Sequence, residues 1–205
     1  MNHNRIFALF CLLPAFALAA LAFAPAPASA EPPKVMDLPA PDKTGGKPLM
    51  QALNERCSTR SFTDAPLSAQ DLSNLLWATW GINREDGRHT APTAKNKQEV
   101  AVYAALPDGV WLYNPVEHKL ELYLAKDVRG AISAEAPLAL LYAAPADDDD
   151  AGLHIGALYQ NAGLYCASAN LGSVVKLTGA DEADKLLGLT NGYQVRIVQP
   201  VGHPK

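Results

Sequence analysis

Residues 56–62 read Arg-Cys-Ser-Thr-Arg-Ser-Phe. Two guanidinium groups four residues apart, with hydroxyls between and beside them, are donor types suited to a small dianion. Arginine offers a planar fork matched to phosphate oxygens, and serine adds a neutral hydroxyl donor. In an extended stretch Arg56, Ser58 and Arg60 stand at alternate positions and project to one side. Taken alone, the cluster fits a solvated loop with two surface charges equally well. Cys57 reads either as a reactive thiol or as a small packed side chain. Pro92-Thr93-Ala94-Lys95-Asn96-Lys97-Gln98 offers hydrogen-bonding side chains, and by itself is a turn with a strand start. Lys176, two residues before Thr178-Gly179, places a cation beside a turn, and it is equally a surface lysine. His89, His118, His154 and His203 show no pairing with a nucleophile that spacing establishes, so no side-chain acid or base is assigned. No CxxC and no zinc-type His/Cys spacing occurs, so no metal is expected. The run Asp147–Asp150 lacks the glycine and spaced acceptors of a calcium loop and reads as a solvated loop.

The ends and the charge bound the function class. A short polar start with Arg5, an apolar run from Ile6 to about Phe23 and Ala28-Ser29-Ala30 describe a secretory signal peptide over 1–30. Export, with a periplasmic destination and no stable membrane insertion after cleavage, is the expectation. Acidic residues number 21 against 17 basic ones, for a net charge of −4, and no basic stripe is visible. Nucleic-acid binding is therefore not expected. Beyond the leader, Cys57 and Cys166 are the cysteines; export permits a disulfide between them without requiring one.

The elements follow from periodicity. Residues 31–47, rich in Pro, Lys, Asp and Gly, read as a flexible lead-in, and 48–205 as one domain. A helix is expected from Pro48 to about Arg56, with Leu49, Met50 and Leu53 on one side. Ser68 and Asp71 form a capping box for a second helix, in which Leu72, Leu75, Leu76 and Thr79 recur at helical spacing. From Val100 to Leu124 the period becomes two, which predicts a meander of strands with one wet face. Residues 137–144 are apolar on both faces and read as a central strand. A long helix from about His154 to Asn170 carries one apolar stripe and a line of small residues, Gly156, Gly163 and Ala167, so it is expected to be buried centrally or at a subunit interface. A short helix over Asp181–Leu187 and a strand over Gln194–Val201 complete an α+β chain with interspersed helices and strands.

In this order the stretches resemble the nitroreductase superfamily of flavoproteins. RCSTRSF before a capped LSAQDLSNLLWATWGI helix carries the resemblance first. The PTAKNKQ segment, Leu171-Gly172-Ser173, Thr178-Gly179-Ala180-Asp181 and the closing Val201-Gly202-His203-Pro204 continue it over about residues 48–204. The closest likeness is to the short branch related to dehydrogenases of thiazole- and oxazole-forming peptide synthetases. The resemblance implies a central, mainly antiparallel sheet flanked by helices, with the long helix at a homodimer interface. It also implies FMN as cofactor. Arg56, Ser58 and Arg60 would hold the phosphate, with Cys57 against the ribityl chain. Pro92, Thr93, Ala94 and Asn96 would face the flavin from the partner subunit, and Lys176, Thr178 and Gly179 would lie at the reactive edge of the ring. The flavin would carry the chemistry.

That reading gives an oxidoreductase passing a hydride through flavin N5, between a reductant such as NAD(P)H and an electron-poor small molecule, or oxidising a small molecule. Three departures are plain. Only about ten residues separate the central strand from the long helix, where relatives carry a substrate lid. Lys95 and Glu99 replace the usual small residue and proline, and the C-terminal arm of many relatives has no counterpart after Lys205. They motivate the alternative of a flavin-binding or flavin-carrying protein without turnover.

Overall fold

A computed structural model describes residues 34–190 and 192–205; the leader read as a signal peptide lies outside them. Strands β1 (Val35–Asp37), β2 (Ala101–Leu106), β3 (Gly109–Asn114), β4 (Lys119–Leu124), β5 (Leu138–Pro145), β6 (Gly172–Ser173) and β7 (Tyr193–Gly202) form one antiparallel sheet. Their order is β1-β4-β3-β2-β5-β7-β6. The helices are α1 (Leu49–Glu55), α2 (Ala69–Trp80), α3 (Ala151–Ser168) and α4 (Ala180–Leu187). The α+β class and the central position of the 137–144 segment agree with the sequence reading.

Period-two alternation sends successive side chains to opposite faces, and here both faces are covered. Val102 and Ala104 of β2, with Leu138, Leu140 and Tyr142 of β5, meet Leu75, Leu76 and Trp80 of α2 and Ile155 and Leu158 of α3. On the reverse face Tyr103, Ala105, Leu141 and Val198 pack with Val128, Ile132 and the α4 residues Ala180, Ala183 and Leu187. The expected wet face of the strand meander is therefore found only toward β4, which keeps several partly exposed residues. Each fully buried Leu, such as Leu75 or Leu140, contributes about 1.5–3 kcal/mol.

Helix α2 starts where its cap demands. Ser68 Oγ accepts from the Asp71 backbone N–H at 3.0 Å, and the Ser68 hydroxyl donates to the Asp71 carboxylate at 2.6 Å. One finding corrects the sequence reading. Residues 35–37, placed in a flexible lead-in, are an edge strand whose Val35, Met36 and Asp37 pair with Glu121, Leu120 and Lys119. Three residues carry too short a pattern to reveal a strand; the open edge of β4 supplies the partner. Further, α1 buries Ala52 against the fold and turns Leu49, Met50 and Leu53 outward, 64%, 76% and 44% exposed.

Candidate functional site

The stretch after α1 is stitched into the fold by its backbone. Ser58 bridges Ser173 in parallel, and Thr59 N–H donates to the Ser173 carbonyl at 2.9 Å. Phe62 bridges Pro204, and Thr63 N–H donates to the His203 carbonyl at 2.9 Å. Gly172 permits this approach, since a Cβ there would stand 2.6 Å from Thr59 Cγ2. The stem of Arg56 lies over Gly163 of α3, whose missing side chain leaves ordinary contact distance, 3.6 Å from an added Cβ to Arg56 Cδ.

Arg56 and Ser58 open on a cleft of about 220 Å³ shared with Gln160, Ser173 and Gln199. Arg60 opens on a neighbouring cleft of about 550 Å³ with Phe62, Lys176, Thr178 and Pro200. Val174 and Val175 line both, so the two clefts adjoin. The three alternate residues thus do not share one seat, as extended geometry alone suggested: Arg56 and Ser58 stand together, and Arg60 serves the adjoining cleft. The stretch changes backbone partner between Thr59 and Phe62, from β6 to Pro204, which ends simple alternation. Among the described residues, neither guanidinium lies within ion-pair distance of a carboxylate. An arginine left without a carboxylate beside a concave surface retains its full donor capacity for an anion.

The far wall of the larger cleft holds Ser133 and Glu135. Arg129 braces it, with a bidentate pair to Asp127 at 2.9 and 2.7 Å and bonds to the Ala136 and Pro137 carbonyls at 3.1 and 3.0 Å. That guanidinium holds the Asp127 carboxyl below its ordinary pKa. Lys176 Nζ donates across to the Ser133 carbonyl at 2.7 Å, while its backbone pairs with Val198. Gly179, at φ +92°, brings its backbone so close that a Cβ would stand 2.2 Å from the Ile132 carbonyl oxygen. It lines neither cleft itself; it sets the turn from Thr178 into α4.

Gln199 was not singled out by sequence. It is 1% exposed within β7, its Oε1 accepts from Tyr142 at 2.5 Å, and its Nε2 donates to Ser173 Oγ and the Tyr159 carbonyl, each at 3.3 Å. The signal was a lone amide in the apolar run Ile197-Val198-Gln199-Pro200-Val201. Burial raises the hydroxyl pKa of Tyr142 well above its ordinary value. Cys57 is exposed and Cys166 buried, both as free thiols, and burial pushes Cys166 up to about 12. Cys57 lines neither cleft.

Pro92, Thr93, Ala94 and Asn96 also line neither cleft. Their segment is a turn against the start of α3, where Ala94 N–H donates to His154 Nε2 at 2.8 Å. Asp148 corrects the reading of its acidic run as a solvated loop: its side chain is 3% exposed and pairs with Lys97. Two other histidines are structural. His89 stacks on Trp80 and donates from Nδ1 to the Trp80 carbonyl at 2.7 Å, and His118 bridges Ser73 and Tyr113. Burial lowers the pKa of both.

A family model described as "Nitroreductase family" matches residues 53–203. The chain belongs to the nitroreductase family. The curated protein "Putative nitroreductase MJ1384" from Methanocaldococcus jannaschii is 28% identical over 151 residues, which span 62% of this chain and 76% of that protein. A solved structure of the same description from Ralstonia eutropha JMP134 aligns with a TM-score of 0.79 at 36% identity, over 90% of this chain and 96% of that one. Another, from Desulfovibrio desulfuricans and solved in complex with FMN, aligns with a TM-score of 0.56 at 22% identity, over 77% and 87% of the two chains. At that identity the likeness speaks for the fold alone. As a nitroreductase-family chain the protein is an oxidoreductase, in agreement with the resemblance carried by RCSTRSF, PTAKNKQ and the late glycine turn.

Proposed function

We propose that this nitroreductase-family chain is an exported, homodimeric FMN-dependent oxidoreductase, with its flavin in the adjoining clefts. The observation that carries the reading is the pair of arginines, free of carboxylate partners among the described residues, that open on two adjoining clefts both lined by Val174 and Val175. Their sizes suit a small-molecule site. Arg56 and Ser58 would take the phosphate in the smaller cleft. Arg60 and Lys176 would place positive charge along the ring in the larger one, favouring its reduced, negatively charged form. Gly179 sets the Thr178 turn, whose backbone N–H groups would support charge developing at the ring edge. Bound FMN would supply hydride-transfer chemistry through N5, between NAD(P)H and an electron-poor small molecule such as a quinone or nitroaromatic, or from an oxidisable small molecule.

The homodimer reading is supported by the outward apolar side of α1 and by the position of Pro92, Thr93, Ala94 and Asn96, which line neither cleft of their own protomer and would face the flavin of a partner. The leader over 1–30 supports a periplasmic destination.

A second reading, a flavin-binding or flavin-carrying protein without turnover, is favoured by one observation: residues 146–150 alone connect β5 to α3, which leaves no lid there. Absorption spectra separate the two. Yellow protein bleached by NAD(P)H and recoloured by a quinone supports the enzyme, whereas bound FMN inert to every donor supports the carrier. For Arg56→Ala/Arg60→Ala we expect flavin affinity to fall at least about 100-fold, since each charge-assisted contact is worth about 1.5–3 kcal/mol. Unchanged occupancy would refute the seat.

A further inference from the structure

The 93–98 turn is held in an unfavourable backbone conformation. Lys95, Asn96 and Gln98, none a glycine, sit at φ +53°, +55° and +53°. Residues in that region persist only when surrounding contacts over-determine them, and they gather at functional sites. Bonds inside the turn are short-range: Asn96 N–H to the Thr93 carbonyl, Gln98 N–H to Thr93 Oγ1 and Gln98 Nε2 to Asn96 Oδ1. Lys97 Nζ reaches Asp150 Oδ2 at 3.6 Å, and two closer contacts tie the turn to the body, Ala94 N–H to His154 Nε2 and Lys97 to Asp148.

These two contacts meet. His154 is 1% exposed and accepts at Nε2, so the proton of its neutral ring lies on Nδ1. Nδ1 stands 3.3 Å from Asp148 Oδ2 without the alignment of a hydrogen bond, and among the described residues neither buried atom has a hydrogen-bond partner. A carboxylate at Nδ1 selects the tautomer that leaves Nε2 free to accept. Asp148 Oδ1 meanwhile receives Lys97 and, at 3.2 Å, the Asp150 N–H. The contacts form a circuit: the turn supplies the cation that holds the acid, the acid sets negative charge beside the imidazole Nδ1, and the imidazole takes the turn's own amide.

We propose that His154 and Asp148 are positioning residues for the flavin, acting through the 93–98 turn that they hold in its left-handed shape. The inference rests on the reading that Pro92, Thr93, Ala94 and Asn96 face the flavin across the dimer, and it assigns work to a histidine and an acidic run that the cofactor site otherwise leaves idle. A merely structural pair would affect folding and leave the bound ring's environment alone.

Full-length processed protein is titrated with FMN as wild type, His154→Gln, His154→Leu and Asp148→Asn. Visible spectra of the bound flavin and hydrogen exchange of the Ala94 amide in flavin-free protein are recorded alongside. His154→Leu should lose Ala94 protection, bind FMN about tenfold more weakly or worse, and shift the visible bands. His154→Gln, whose amide oxygen can take the Ala94 N–H, should recover affinity and spectrum. A folded His154→Leu that keeps Ala94 protection, or loses it with wild-type affinity and spectrum, overturns the proposal. If His154→Leu does not fold, Asp148→Asn decides: a changed imidazole 15N tautomer signature with weaker FMN binding supports the circuit, and unchanged values overturn it. Wild type that takes up no FMN would instead sink the flavin reading. The Ala94 exchange would then still report whether His154 holds the turn.

Discussion

Single residues here differ sharply in how replaceable they are, and two glycines show why. Gly179 combines φ +92° with an approach that would put a Cβ 2.2 Å from the Ile132 carbonyl. Gly179→Ala should cost about 2 kcal/mol or more in urea unfolding of the flavin-free protein, because both the left-handed backbone and the clash oppose the methyl. Gly163 lies inside α3 with ordinary contact space toward Arg56. Gly163→Ala should stabilise the same protein by about 0.5–1 kcal/mol through helix propensity. It should also weaken FMN binding, as its methyl enters the cleft beside Arg56. A stabilised variant with unaltered affinity would count against that cleft as the phosphate end.

At the scale of elements, the junction of the 93–98 turn with α3 depends on charge. The Lys97 ammonium, by hydrogen bonding, holds the Asp148 carboxyl below its ordinary value of 3.8. A depressed folded-state pKa means that the unfolded chain binds the proton more readily. The pair's contribution is therefore complete above the unfolded value and is lost as pH falls through the folded one. Acid titration of stability should show wild type losing more than Asp148→Asn as pH falls below about 4. Equal slopes would mean that the contact contributes nothing. The same logic separates α1 from α2. Helix α2 is capped and buried by its own sequence, whereas α1 buries Ala52 and leaves Leu49, Met50 and Leu53 without cover.

For the whole molecule, that uncovered side bears on assembly. In the dimer proposed above, each flavin site is completed by a partner, so assembly and flavin binding are linked by mass action. Met50→Glu/Leu53→Glu should shift sedimentation toward the monomer and lower FMN affinity together. A monomer that binds FMN as tightly as wild type would separate the two and remove the partner from the site.

Much of this molecule was legible as a linear pattern. The capping box and the Leu72, Leu75, Leu76 and Thr79 repeat mark α2 because caps and helical periodicity act within a few residues. The unbroken apolar run at 137–144 marks β5 because a strand at the centre of a sheet is buried on both faces. RCSTRSF offered the donor types of an anion seat, because guanidinium and hydroxyl groups carry their chemistry wherever they stand, and with the other motifs it pointed to the family. Only the tertiary structure separated Arg60 from Arg56 and Ser58, paired Val35–Asp37 with β4, and covered the second face of the sheet with α4. It alone brought Asp148 of one loop and His154 of α3 to the turn at Ala94 and Lys97. Those outcomes depend on partners 50 or more residues away in sequence, and local periodicity holds no record of which distant surface will arrive.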